Sequence, residues 1–320
     1  MAWRNRTTLY TDRGQWLQAR RLTLGASEAA ALLGESPFAG PWDVFAAKRN
    51  GTEVLEAEES DGSEGVDLND PKVRGQVLEP MVGIAYTALT GRAHRRIGPA
   101  LFGIDTDVAI TRHPSEPWLT ASLDAVVQDP ELGEGVGEWK TAKFSWRWGP
   151  NGAVVDGTWD GFAGVLPQHI GVQALVQLAV TELPFCDVAV FTGGLCFRQF
   201  RVLRHEPTLE TLVDVLRGLY QRHIIDGEEP DIDGSAACIQ HSRELLAENR
   251  TKSRPATEEE IEWILLLVAR KQAAASADVA RAHILRAMGE HQKLTMGRSP
   301  TGEPRGVRVS VNGAVTAYGF

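Results

Sequence analysis

Six stretches of the chain have the spacing or composition of helices, and turn residues separate them. Small and apolar residues lead up to Gly34, and apolar residues recur at helical spacing up to Gly91. We therefore predict helices within residues 27–34, 40–51, 73–91, 166–185, 208–230 and 257–291. Ser27 is expected to cap the first of these helices, and Pro80 is expected to begin or bend the third.

Five other stretches are rich in apolar and β-branched residues and predict strands. They cover residues 98–113, 118–129, 135–144, 185–194 and 196–204. Pro, Asp and Gly turns join the first three, which we interpret as a meander, and the last two are interpreted as a strand pair. This order of helices and strands predicts an α/β fold in which helices flank a mixed central sheet.

The last part of the chain predicts a separate appendage. Thr257 and the acids after it predict the start of a helix, and Asn312-Gly313 between alternating apolar residues predicts a β-hairpin. We expect a compact domain at residues 1–235, a connector at 236–256, and a C-terminal helix or helical hairpin plus β-hairpin at 257–320. Such an appendage serves packing or assembly more often than chemistry.

Charge is unevenly distributed along the 320 residues. The net charge of −9 argues weakly against nucleic acid as a partner, and residues 53–70 hold eight acids and no base. Basic residues gather instead within residues 4–21, 92–96, 140–147 and 198–204. The fold could bring these bases together as one positive groove on an acidic body, or leave them as scattered surface charge.

Several classes of protein are disfavoured by what the sequence lacks. Three widely spaced cysteines do not predict a disulfide framework, a zinc ribbon or a four-cysteine iron–sulfur cluster. No apolar run approaches the roughly 18 residues of a membrane span, and the first residues do not form a secretion signal, so we expect a cytoplasmic protein. No G-K-[ST] sequence is present, which disfavours a nucleotide-binding loop.

Two neighbouring strand segments carry the acids and the base of a candidate site. Glu138 and Lys140 lie two apart in "GEWKT" and should project from the same strand face, with Trp139 on the opposite face. A neighbouring strand can place Asp124 of "SLDAVV" beside Glu138. Two carboxylates suit Mg²⁺ or Mn²⁺, and a lysine can stabilise charge on a phosphate. An Asp and an E-x-K also occur by chance, because surface strands often alternate charge.

The order of six short blocks carries a family resemblance over about residues 16–230. Trp16 precedes "SEAAALLG" and "SPF", and then follow "RGQVLEP" with "LTGR", "TASLDAVV", "GEWKT", "PQHIGVQALVQLAVT" and "CFRQFRVLR". In this order the chain resembles the YqaJ-like viral recombinase family, the lambda-exonuclease-type branch of the PD-(D/E)XK nucleases. The resemblance implies a restriction-endonuclease-like fold, although the Asp motif here is "SLD" and lacks the proline of the superfamily name.

The resemblance also implies the roles of the carboxylates. Asp124, Glu138 and the main-chain carbonyl of Trp139 would be metal ligands, and Lys140 would be the catalytic lysine. Glu79 would bind a second metal directly or through water. The alternative for Glu79 is an acid in the first turn of a helix, where the helix dipole favours it without any metal.

Four further positions take their expected roles from the same family. Gln173 would lie beside the metals, whereas Gln177, one turn later, would be structural. Arg20 and Ser27 would bind the 5′-terminal phosphate of DNA, although Arg21 could replace Arg20, and Ser27 could be only a helix cap. Relatives often carry a tyrosine three residues before the glutamine, where this chain has Ile170.

The function implied by the family is a DNA exonuclease that depends on Mg²⁺ or Mn²⁺, with two ions, and works without ATP. It would digest double-stranded DNA ends 5′→3′ and leave 3′ single strands for an annealing protein in phage-type recombination. Members of the lambda type form trimers around DNA, and the host would be a bacterial cell. The alternatives are a Cas4-like or RecB-type nuclease of other polarity, and a non-catalytic DNA-binding assembly protein on the same fold.

Overall fold

The computed structural model describes most of the chain. The described residues are 2–10, 13–50, 71–97, 108–142, 147–193, 196–244, 257–270, 273, 293–298, 304–309 and 315–318. The chain divides into two compact units, Met1–Ala247 and Glu248–Phe320. The acidic residues 53–70 and the predicted strand residues 98–107 lie outside the described residues. Among the described helices, none combines the length and the apolar character that a bilayer crossing requires.

The first unit contains a six-stranded mixed sheet in the order β3-β6-β7-β9-β10-β8. Its strands are β3 (His94–Arg96), β6 (Ala125–Asp129), β7 (Gly133–Ala142), β8 (Ala153–Val155), β9 (Phe185–Thr192) and β10 (Cys196–Leu203). Strand β7 pairs antiparallel with β6 and parallel with β9, and β9 pairs antiparallel with β10. This confirms the predicted mixed sheet and the predicted strand pair.

A four-stranded sheet in the order β1-β4-β5-β2 forms the rest of the β structure in this unit's described residues. Its strands are β1 (Thr7–Tyr10), β2 (Leu24–Gly25), β4 (Val108–Arg112) and β5 (Leu119–Ala121). The predicted meander is therefore wrong in part, because its first strand belongs to this sheet and its second is divided between the two sheets. The division falls at residues 122–124, which link β5 to β6.

The described residues of the first unit form seven α-helices. They are α1 (Arg13–Arg21), α2 (Ala26–Leu32), α3 (Pro41–Asn50), α4 (Pro71–Thr90), α5 (Gln168–Thr181), α6 (Glu206–Leu219) and α7 (Ala236–Glu244). Two of them, α4 and α5, pack on opposite faces of the six-stranded sheet. Helix α4 covers one face through Val82 and Tyr86, and α5 covers the other with an almost continuously buried surface. A π-helix, Tyr220–Ile225, continues α6 within the predicted helix 208–230.

The two faces of β7 are chemically different. Trp139 packs under α4, whereas Val136 belongs to the core on the α5 side. A Cβ on Gly137 would lie 2.9 Å from the Trp139 ring, and one on Gly135 would lie 2.2 Å from the Phe185 ring, so both positions require glycine. The predicted alternation is confirmed, with Glu138 on the α5 side and Trp139 on the α4 side.

Two helix predictions need correction. The helix around Pro80 begins at Pro71 and runs through the proline, so Pro80 lies inside α4 and not at its start. Helix α7 lies in the stretch expected to be a connector, where Cys238 packs with Trp42 and Phe45 of α3. Local composition did not predict α7 because its burial depends on a helix about 190 residues earlier in the chain.

The second unit contains a helix over residues 258–270 and a three-stranded antiparallel sheet of β11 (Lys293–Arg298), β12 (Pro304–Val309) and β13 (Val315–Tyr318). Thr257 caps the helix as predicted: its hydroxyl accepts the Glu260 N–H at 3.2 Å, and the Glu260 carboxylate accepts the Thr257 N–H at 2.8 Å. The register pairs Val309 with Val315, which confirms the predicted hairpin. The turn itself, residues 310–314, lies outside the described residues.

Candidate active site

Asp124 lies directly before β6, in the link between the two sheets. Its Oδ2 accepts the backbone N–H of Trp139 at 2.7 Å, and its carbonyl accepts the N–H of Ile97 at 2.9 Å. The first bond joins Asp124 to β7 at the residue that follows Glu138. The structure therefore brings the two predicted metal carboxylates to neighbouring positions, although Asp124 lies outside a regular strand.

Glu138 is fully buried, and three side chains donate hydrogen bonds to its carboxylate. Lys140 Nζ and Gln173 Nε2 both donate to Oε1, the latter at 2.7 Å, and Gln177 Nε2 donates to Oε2 at 2.5 Å. An isolated buried carboxylate would be costly, and these donors offset that cost. Glu138 is thus held in one orientation from two elements, β7 and α5.

Lys140 is a cation in this cluster. Burial by itself lowers the pKa of Lys140, but the charges of Glu138 and Asp124 outweigh burial and raise the pKa above the ordinary lysine value. The ammonium group therefore keeps its proton at neutral pH. A lysine in this state can stabilise negative charge and donate hydrogen bonds.

Glu79 approaches the same group from α4. Burial raises the pKa of Glu79, and the charge of Glu138 adds to that rise against the opposing pull of Lys140 and a hydrogen bond with Asp124. Glu79 is the ninth residue of α4, which begins at Pro71. The alternative that Glu79 is a first-turn acid favoured by the helix dipole is therefore wrong.

The pKa of Asp124 is raised well above the usual carboxyl range. Burial is the main cause, followed by the charges of Glu138 and Glu79. Across the part of the chain that the structure describes, no three or more His, Cys, Asp or Glu side chains stand in the geometry of a metal site. The chemistry of the donor set nevertheless fits a divalent cation, because its oxygen ligands are hard and their mutual repulsion would be relieved by positive charge.

The side chain of Trp139 lies away from the site, on the α4 face of β7. Its indole ring packs on the α4 face with ring centres 5.0 Å from Tyr86 and 5.8 Å from His94. A Cβ on Gly83 would lie 3.1 Å from the indole nitrogen, which shows how closely α4 approaches. The side chain is therefore core, and only the main chain of this residue lies where the chemistry is expected.

Residues four apart share a helix face, and one such face of α5 points toward Glu138. His169, Gln173 and Gln177 lie on it, and Gln177 Oε1 accepts the Sγ–H of buried Cys186 at 3.7 Å. Burial and the charges of Lys140 and Arg147 lower the pKa of His169 to about 4, so its imidazole is neutral. A cavity of about 450 Å³ opens beside His169. Ile170, at the family's tyrosine position, is buried in the core.

Arg20 and Ser27 lie together in a second cluster. Arg20 Nη2 is 3.5 Å from Ser27 Oγ and 3.7 Å from Glu28 Oε1. The prediction that Ser27 caps the helix is wrong, because α2 begins one residue earlier and Gly25 is its N-cap. Glu28, the third residue of α2, contributes the capping-box bond, since its carboxylate accepts the Gly25 N–H at 2.7 Å.

Sequence reasoning missed the positions that hold these groups in place. Gln177 was expected to be structural, and the structure shows that it orients Glu138 directly. Its i+4 spacing from Gln173 was the available signal. Lys48 donates to both Glu28 oxygens at 2.8 and 2.9 Å, and no local pattern marks a contact between residues 20 apart.

Comparisons with known proteins agree with the resemblance seen in the motifs. The model of the YqaJ-like viral recombinase domain matches residues 15–184. The uncharacterized protein YqaJ of Bacillus subtilis (strain 168) is 23% identical over 263 residues, which cover 80% of this chain and 72% of that protein.

Two solved structures are also similar to this chain, at lower sequence identity. One is an alkaline exonuclease from Laribacter hongkongensis, with a TM-score of 0.42 and 21% identity over 64% of this chain and 92% of its own. The other is a phage-related exonuclease from Haemophilus somnus 129PT, with a TM-score of 0.33 and 12% identity over 64% of this chain and 96% of its own.

Proposed function

The chain belongs to the family of YqaJ-like viral recombinase domains, and from this premise we propose that it is a metal-dependent deoxyribonuclease that needs no ATP. Its substrate is the end of a DNA duplex, which it digests 5′→3′. The products are nucleotides and a 3′ single strand that an annealing protein can use in phage-type recombination. Because phosphate contacts dominate such binding, we expect little base specificity.

The observation that carries the proposal is the excess of acids around Asp124. Three carboxylates, from Asp124, Glu138 and Glu79, share the charge of Lys140, and the pKa values of Asp124 and Glu79 are raised as a result of burial and mutual repulsion. Perturbed acids in one cluster are typical of functional sites.

The cofactor we propose is Mg²⁺, with Mn²⁺ as a substitute and two ions as the full complement. Asp124, Glu138 and the carbonyl of Trp139 would hold one ion, and Glu79 would hold the other directly or through water. When bound, such ions polarise phosphate oxygens and increase the nucleophilicity of water. The donor set supports this choice because Mg²⁺ and Mn²⁺ prefer carboxylate, carbonyl and water oxygens.

The side chains have distinct parts in the hydrolysis of a backbone phosphodiester by in-line attack of water. Lys140, which stays protonated, faces the reacting phosphate, stabilises the negative charge that develops on it and orients the attacking water. Gln173 lies beside Glu138 and helps to fix its carboxylate, and Gln177 does the same from one helical turn further on. The proton released by the water passes to solvent.

The 5′ end of the cut strand is assigned to Arg20 and Ser27. A guanidinium and a hydroxyl 3.5 Å apart offer donors that match a terminal phosphate. We also propose that the protein works in the cytoplasm of a bacterial host as a homo-oligomer, a trimer in the lambda manner. In this proposal the C-terminal unit serves assembly or docks the annealing protein.

The test uses linear duplexes with 5′-phosphate or 5′-hydroxyl ends and a closed circle of the same sequence, with Mg²⁺ or with EDTA. Wild type is compared with Lys140→Ala and with Arg217→Ala, which removes an exposed cation that pairs with Glu116 and Asp214. Released nucleotides and strand polarity are measured. We expect digestion of linear DNA with Mg²⁺ only, an activity about 10²- to 10³-fold lower for Lys140→Ala, and unchanged activity for Arg217→Ala.

Each of the other possible outcomes would contradict a specific part of the proposal. Equal digestion by wild type and Lys140→Ala would remove the site, and cleavage of the circle as fast as the linear duplex would leave a nuclease that is not an exonuclease. Digestion from 3′ ends would indicate the polarity of a Cas4-like or RecB-type enzyme. DNA binding by wild type without any cleavage would indicate a non-catalytic assembly protein.

A further inference from the structure

A buried ion pair lies behind Arg20 and has no part in the chemistry described so far. Glu28 of α2 and Lys48 of α3 are only 3% and 4% exposed at their side chains, and Lys48 Nζ lies 2.8 Å from Glu28 Oε2. Lys48 Nζ also donates to the carbonyl oxygen of Arg20 at 3.0 Å. Buried pairs of this kind contribute little net stability compared with apolar residues, and the same Glu28 carboxylate also accepts the Gly25 N–H at the start of α2.

The pair fixes the place of the Arg20 side chain. Arg20 Nη2 is 3.7 Å from Glu28 Oε1, and the guanidinium carbon lies 4.7 Å from the centre of the Trp16 ring. On the remaining side, a Cβ on Gly25 would lie 3.0 Å from Arg20 Nη2 and 3.2 Å from Glu28 Oε2. The guanidinium is thus placed by a ring, a carboxylate and a glycine backbone, next to the Ser27 hydroxyl.

The balance of charge in this cluster depends on Lys48. Arg20, Glu28 and Lys48 together carry one net positive charge, and Lys48 engages the carboxylate more closely than Arg20 does. Without the Lys48 charge, the carboxylate would be buried with Arg20 as its nearest remaining cation. The attraction would then draw the guanidinium toward Glu28, because an unpaired buried charge is costly.

We propose that Glu28 and Lys48 are positioning residues for the recognition of a 5′-terminal phosphate. Lys48 neutralises Glu28, and Glu28 holds Arg20 beside Ser27. The preference for phosphorylated ends therefore depends on two residues that never touch DNA. This inference rests on the proposed function, because it specifies how the same enzyme selects its substrate end.

The experiment measures the ratio of digestion rates on 5′-phosphate and 5′-hydroxyl duplex ends. The variants are Lys48→Met, Glu28→Gln, the double variant and Arg20→Ala. Arg92→Met is the matched control, because it also removes a cation from a buried acid, Asp129, in a different cluster. Thermal melting is recorded for each variant, so that a loss of folding is separated from a loss of selectivity.

We expect Lys48→Met to lower the ratio about tenfold, close to the value of Arg20→Ala, because Glu28 then captures Arg20. Glu28→Gln lowers the ratio less. The double variant should recover part of the loss, since it has no buried carboxylate to compete for the guanidinium, and it is also expected to fold if Lys48→Met does not. Arg92→Met should keep the wild-type ratio.

Two results would overturn the inference: a wild-type ratio in both Lys48→Met and the double variant, or a double variant no more selective than Arg20→Ala. A wild-type enzyme that digests both ends equally would also overturn it, while the proposed nuclease would stand. A wild-type protein that digests neither end would instead remove the proposed function itself. Failure of the inference and failure of the function are therefore distinguishable.

Discussion

Two groups of buried acids lie at the two ends of β6, and their electrostatics are opposite. Asp124 precedes the strand and belongs to a cluster in which carboxylates outnumber cations, and its pKa is raised. Asp129 ends the strand, and hydrogen bonds from Arg201 are the main cause that holds its pKa below the usual range. The same residue type at the two ends of one strand therefore has two electrostatic environments, which the number of neighbouring cations decides.

The group around Asp129, in which cations match the acids and which we call the balanced group, connects several elements. Arg201 of β10 makes hydrogen bonds of 2.6 and 2.7 Å to Asp187 of β9 and one of 2.8 Å to Asp129, to which Arg92 also donates at 2.9 Å. Tyr86 of α4 donates to Asp187 at 2.5 Å. Each acid has a cation, so this group stabilises the sheet, whereas the group at Asp124 is left with excess negative charge. The two groups therefore differ in their balance of acids and cations, and the proposed function assigns the reaction to the group with more acids than cations.

The largest expected effect is the loss of stability when the balanced group loses its shared cation. Arg201→Ala leaves Asp187 and Asp129 without their main partner, so we expect the free energy of unfolding to fall by about 3–5 kcal/mol. Urea unfolding measures this free energy, and Arg217→Ala is the control because the ion pairs of Arg217 are exposed. Nuclease activity per folded molecule should stay near wild type. An unchanged unfolding midpoint would contradict the structural role.

A substitution at Asp124, in the other group, should change stability and activity in opposite directions. Asp124→Asn removes a repelled carboxylate and keeps an oxygen that can accept the Trp139 N–H, so we expect the melting temperature to rise. Nuclease activity should fall about 10²- to 10³-fold, because a charged ligand is lost. Asp214→Asn, at an exposed acid, is the control for both measurements. A lower melting temperature for Asp124→Asn would place Asp124 with the balanced group.

A divalent cation should relieve the excess charge at one end of β6 only. At about 100 times its dissociation constant, Mg²⁺ that binds the folded protein alone stabilises it by about 2.7 kcal/mol. Thermal melting with and without Mg²⁺ should show this gain for wild type and for Arg201→Ala, and a smaller gain for Asp124→Asn. Equal gains in all three proteins would indicate that Mg²⁺ binds elsewhere.

The smallest effect concerns acid pH. The folded pKa of Asp129 is below its unfolded value of 3.8, so the folded state binds fewer protons. The stability that Asp129 contributes is therefore present above about pH 3.8 and is lost as the pH falls through its folded pKa. The difference in unfolding midpoint between wild type and Asp129→Asn should shrink as the pH is lowered from about 3.8 toward 2. A constant difference would show that Asp129 acts by shape and not by charge.

Much of the fold follows from local pattern. The strand pair at 185–204, the glycine end of α4, the cap at Thr257 and the C-terminal hairpin were all predicted, since each depends on residues close together in the chain. The failures have another cause. The presence of α7 depends on packing against a distant helix, and the sheet to which each strand belongs depends on long-range pairing.

The sequence by itself determined which residues could form the site. Alternation along β7 places Glu138 and Lys140 on one face and Trp139 on the other, because strand geometry repeats every two residues. Only the tertiary structure decided their electrostatic environment, which depends on cations and hydrogen-bond donors from other elements. Gln177 against Glu138, Lys48 against Glu28 and Arg201 against Asp129 are all contacts across the fold, and no local spacing specifies them.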